Sequence, residues 1–102
     1  MGIDVHLQDE RGTDLRVVPD SEMILSRLVL HSPEIENTIC LRFVMPYANT
    51  TFNQAQLPVL LSELGALRPS LDAKSLAFVD SVISLAKEAN LEPHLYVKFI
   101  GD

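Results

Sequence analysis

Along residues 2–9 apolar and polar positions alternate. Ile3, Val5 and Leu7 fall on one side and Asp4, His6 and Gln8 on the other, the period of a half-buried strand. After a turn, Leu15 and Val17 alternate with Asp14, Arg16 and Val18. Pairing Leu7 with Leu15 and Val5 with Val17 keeps the apolar side chains on one face. That register leaves Glu10-Arg11-Gly12 as a three-residue hairpin loop, with glycine where positive φ is needed.

Pro19-Asp20-Ser21 supplies a helix start with Asp20 or Ser21 as the cap. A short helix to about Val29 turns Ile24, Leu25 and Leu28 inward, and residues 31–37 read as a loop. Asn37 to Val44, NTICLRFV, is rich in β-branched and aromatic residues and predicts a strand. Leucines at 57, 60, 61 and 64 mark one face of a helix that Arg68-Pro69 ends. Ser70 is placed to cap the next helix, which runs to about Ala89 with Leu76, Phe78, Val79, Val82, Ile83, Leu85 and Ala86 over half its circumference.

The closing HLYVKFIGD predicts a strand with Leu95, Val97 and Phe99 inward. It has the form of CLRFV, so Arg42 and Lys98 are expected to share a face of neighbouring strands. The order β-β-α-β-α-α-β gives an α+β domain spanning residues 1–102. Its helices pack on one face of a four-stranded, mostly antiparallel sheet. By alternation the outer face carries Asp4, His6, Gln8, Asp14, Arg16, Val18, Cys40, Arg42, Val44, Tyr96, Lys98 and Ile100. Basic groups, an aromatic and aliphatics meet there, so His6, Arg16, Arg42, Tyr96 and Lys98 form the candidate interaction surface.

Between the third strand and its helix lies PYANTTFNQAQLP, residues 46–58. Thr51-x-x-Gln54 fits a capping box and Asn53-x-x-Gln56 a looser one, while Pro58 belongs near a helix start. Caps and turns do not explain why Tyr47, Thr50 and Gln56 are all neutral hydrogen-bonding groups. Tyr47, Asn49, Thr50, Asn53 and Gln56 therefore make a candidate polar recognition loop.

Charge narrows the partners. A net −6 argues against nucleic acid and against an anionic membrane surface, both of which need clustered Lys and Arg. No apolar run approaches the ~18 residues of a membrane span. The opening MGIDVHLQDE has no apolar core of a signal peptide, and the single Cys40 excludes an internal disulfide, so a cytoplasmic protein is expected.

Chemistry-bearing motifs are missing. The three histidines have no metal-ligand spacing, so no metal or cofactor is expected. Cys40 lies mid-strand with nothing to activate it, and no phosphate-cradling glycine loop occurs.

CLRFVMPYANTTFNQAQLPVLLSEL, together with the MGIDV start and the FIGD end, resembles a group of short, uncharacterised bacterial proteins. The chain departs from that pattern at Ala48-Asn49, where Gly-Asp is expected. The resemblance implies no activity and no binding residue. A non-enzymatic protein-interaction domain is the leading reading, of immunity-protein type by analogy of size and acidity, with a two-fold homodimer through the outer sheet face or an edge strand expected. The alternative is a small-molecule or anion-binding domain using Arg16, Arg42, Lys98 and His6. A third reading is an enzyme working from Tyr47, Asn53 and Arg42.

Overall fold

The hairpin forms, with one change of register. The computed structural model describes residues 2–101. In it β1 (Asp4–Gln8) and β2 (Asp14–Val18) are joined through Gly12, whose φ is 80°. The Asp9 carboxylate accepts the Arg11 and Thr13 N–H groups, and the Gly12 N–H closes the turn on the Asp9 carbonyl at 3.0 Å. Gln8 faces Asp14, as the loop dictates, but Leu7 faces Arg16 and Val5 faces Val18. A bulge has inserted Leu15. The pairing of Leu7 with Leu15 and Val5 with Val17 is therefore replaced. Val17 turns to the outer face opposite His6, and Val18 packs against the core. Alternation rewards only apolar partners within the sheet. It has no means of registering the bond from Arg16 to Glu88 on a distant helix.

After β2 come α1 (Ile24–His31) and the single turn α2 (Pro33–Glu36). Asp20 is fully buried and starts α1. Its carboxylate accepts the N–H groups of Ile24, Leu25 and Ser26 and, from the sheet side, that of Ile3. These bonds satisfy donors that a helix start leaves unpaired.

The strand expected over residues 37–44 does not form. A 3-10 turn, Leu41–Phe43, stands there, with Cys40, Leu41 and Val44 buried. The Glu63 carboxylate accepts the N–H groups of Ile39, Cys40 and Leu41 at 2.6, 3.1 and 3.0 Å, so this backbone is not available to a sheet ladder. Its apolar residues are there for burial under α3 rather than for a pleat.

The third strand is instead the polar β3 (Asn49–Phe52). It is followed by α3 (Leu57–Leu67), α4 (Ala73–Asn90) and β4 (Tyr96–Ile100). Asp72, not Ser70, caps α4 by accepting the Ser75 N–H at 2.8 Å. The Ser70 hydroxyl donates back to the Leu67 carbonyl.

The sheet is antiparallel throughout, in the order β2-β1-β4-β3, so the first and last strands are the central pair. Val5 and Leu7 of β1 and Val97 and Phe99 of β4 are buried on one face. They join Leu57, Leu60 and Leu64 of α3 and Val79, Val82 and Leu85 of α4 in one core. Each such side chain contributes about 1.5–3 kcal/mol. Phe52 meets Phe99 edge to face with ring centroids 5.6 Å apart. Leu61, expected among the buried leucines, is only partly buried. The alternate residues of β1 and β4 remain partly exposed, so the helices cover one face only.

Candidate functional site

The five candidates for the outer sheet surface do not stay together. Opposed residues of neighbouring strands share a face, which places His6, Tyr96 and Lys98 outward beside Asp4, Gln8, Val17 and Ile100. Arg16 leaves this set, because the bulge turns it toward α4, where its guanidinium meets Glu88 at 3.1 Å and Ser84 Oγ at 3.4 Å. Arg42 leaves it too, because residues 41–43 are not a strand, and it does not share a face with Lys98. Val18, Cys40 and Val44 are likewise absent from the outer face.

What remains is a small polar cluster. Asp14 Oδ1 accepts from Gln8 Nε2 at 2.7 Å and lies 2.8 Å from His6 Nδ1. The Gln8 amide first and His6 second hold the Asp14 carboxyl below its usual range. Across the strand Lys98 faces His6.

The polar stretch resolves mostly into structure. Thr50 Oγ1 donates to the Phe43 carbonyl at 3.1 Å. Asn53 and Gln56, not Thr51 and Gln54, form the reciprocal cap. Asn53 Oδ1 accepts the Ala55 and Gln56 N–H groups, and Gln56 Oε1 accepts the Asn53 N–H. Gln54 instead donates its amide to the Asn90 carbonyl at 3.0 Å, closing the far end of α4. Asn49 pairs in the sheet opposite Ile100. Among the described residues Tyr47 is the one loop candidate with neither a side-chain hydrogen bond nor a place in the sheet, and it is 78% exposed.

Tyr47 ends a ridge that reading residues 37–44 as a strand concealed. Ile39, Phe43 and Met45 are 65%, 56% and 53% exposed. They alternate with the buried Cys40, Leu41 and Val44, which anchor the segment beneath. Arg42 lies over the Phe43 ring, its guanidinium carbon 4.8 Å from the centroid, within cation–π range.

The backbone under the ridge is fixed at three places. Glu63 holds residues 39–41, Thr50 holds Phe43, and the Gly101 N–H donates to the Ala48 carbonyl at 3.1 Å. A Cβ at Gly101 would stand 2.4 Å from the Met45 carbonyl oxygen, so glycine alone allows this approach. The ridge thus combines Arg42 and Tyr47, which belong to two different candidate sets, with the exposed apolar Ile39, Phe43 and Met45. The available signal was an apolar count in NTICLRFVMPY too high for one face of one strand.

Cys40 caps a 3-10 turn rather than sitting mid-strand. Burial first, and the Glu63 carboxylate second, push its thiol above the ordinary value, away from the reactive thiolate. Among the described residues no three His, Cys, Asp or Glu side chains converge on a metal-sized site, and no helix is long and apolar enough to cross a membrane.

No family model matches the chain, and neither a curated protein nor a solved structure matches it.

Proposed function

We propose that this chain is a non-enzymatic, cytoplasmic protein-interaction domain whose contact surface is the ridge of Ile39, Arg42, Phe43, Met45 and Tyr47. One observation carries the reading: between residues 39 and 47 four large apolar side chains stand more than half exposed on a backbone tied down from three directions. Aromatic residues, Met and Arg are the types that contact surfaces concentrate. A surface fixed before binding also loses less conformational entropy on association. The anion-binding alternative needed Arg16, Arg42, Lys98 and His6 in one place, and only His6 and Lys98 stay together, Arg16 being turned to Glu88 and Arg42 lying in the 3-10 turn. The enzyme alternative needed Asn53, which is spent on the cap of α3.

A photo-crosslinking amino acid at position 47, in the cells that make the protein, tests the proposal. The expected result is one crosslinked partner protein from position 47 and none from position 91, whose leucine is exposed on the far end of α4. Identical patterns from both positions would refute it.

Self-association is the second reading, favoured by the open edge of β2, where Leu15 and Val17 are about half exposed. Two copies would meet there as a two-fold dimer. Light scattering that finds only an 11.3 kDa species on concentration removes it.

A further inference from the structure

On the side of α3 opposite Glu63, a groove of about 570 Å³ runs between α3 and α4. Leu61, Gly65 and Ile83 line its floor, with Arg68 and Asp80 at one end and Lys87 at the other. Positions 61 and 65 lie one turn apart on α3 with Arg68 at its C-terminal cap, and 80, 83 and 87 follow one stripe of α4, so the groove extends about two turns, or ~10 Å.

Gly65 is the informative residue. It stands inside a helix, where glycine is less stable than alanine. Its φ is not positive, and a Cβ there would meet nothing within 4 Å. Neither the backbone nor close packing requires it. Its missing side chain leaves the floor of the groove open.

The charges point to the occupant. Asp80 is neutralised by Arg68, which binds it through Nε at 2.8 Å and Nη2 at 3.3 Å, with no bond from Nη1 among the described residues. Lys87 forms no ion pair within 4.0 Å among the described residues, and its charge adds only weakly, after Arg68, to the stabilisation of the Asp80 carboxylate. The lining is therefore net positive on a chain of charge −6.

We infer that this groove is a second docking site, distinct from the ridge, for an acidic amphipathic helix of a partner protein. The helix lays an aliphatic stripe over Gly65 and sets one carboxylate by Lys87 and another, about two turns away, by Arg68.

The probe is a fluorescent helical peptide of about fourteen residues with Glu at i and i+7 and Leu at i+3 and i+4. A control peptide carries Lys in place of each Glu. Anisotropy with the full chain should show the acidic peptide binding at least tenfold tighter than the control. Gly65→Leu should abolish binding while its thermal midpoint stays at or above the parent's. Gly65→Ala should raise the midpoint, and Lys87→Glu should remove the preference for the acidic peptide. No saturable binding, equal binding of both peptides, or a Gly65→Ala variant that melts below the parent would each overturn the inference. So would a parent dimer that Gly65→Leu dissociates, which would assign the groove to a second copy of this chain.

Discussion

Glu63 accepts the Cys40 N–H at 3.1 Å, joining the middle of α3 to a loop that precedes it by a whole strand. The same carboxylate takes the neighbouring N–H groups of Ile39 and Leu41, and among the described residues no other side chain bonds these three donors. Removing it strands them at a partly buried turn. Glu63→Ala should therefore cost about 1–3 kcal/mol, measured by urea denaturation, and should speed amide exchange at residues 39–41. A variant within about 0.5 kcal/mol of the parent would mean that the ridge is held by something else.

Gly12 and Gly101 are needed for different reasons, and one substitution separates them. Gly12 has φ of 80° and open space around it, whereas Gly101 is hemmed in by backbone atoms of residues 45–48. Asparagine tolerates the left-handed conformation, so Gly12→Asn should stay within about 1 kcal/mol of the parent and Gly12→Val should lose more. Gly101→Asn should be the more damaging change, because 2.4 Å to a carbonyl oxygen demands that the loop move. Equal unfolding midpoints for the two asparagine variants would refute this division.

Among the described residues five surface carboxylates are held below their ordinary values and contribute to the response to acid, Glu34 chiefly through the Ser32 hydroxyl. Asp9, Asp14, Asp72 and Asp80 are all held below the ordinary value of 3.8, chiefly by the Thr13 N–H, the Gln8 amide, the Ser75 N–H and the Arg68 guanidinium respectively. A folded-state pKa below the unfolded one favours the folded state fully above the unfolded value and ceases to do so as pH falls through the folded value. Their contribution should be flat from neutral pH to about 5 and should decline below about 4. Asp72→Asn keeps an acceptor for the Ser75 N–H but cannot titrate, so its thermal midpoint should fall less steeply with acid. A midpoint that rises between about pH 4 and pH 2.5 would contradict the assignment.

Where local pattern and tertiary contact agree, the sequence was readable. β1 and β4 are central strands whose alternation is enforced by the core on one side, and Val5, Leu7, Val97 and Phe99 lie as alternation requires. The Gly12 loop was legible because positive φ has a chemical signature. Edge strands carry weaker signals. β3 needs a single buried residue, Phe52, so NTTF looked like loop, while CLRFV looked like strand because Cys40, Leu41 and Val44 are core residues without a ladder. The bulge at Leu15 and the carboxylate of Glu63 depend on partners far along the chain, and no window of local periodicity contains them. Arg42 and Tyr47 were therefore identified as candidates without the ridge that links them.

The contact surface itself is tested most directly by the affinity of the partner that position 47 captures. Phe43 lies at the centre of the ridge under Arg42, where a contact residue contributes most. Isothermal titration of purified partner should show Phe43→Ala weakening binding by at least about tenfold, with Leu91→Ala unchanged and both variants folded by circular dichroism. Phe43→Ala binding within about twofold of the parent would contradict the ridge as the site of interaction.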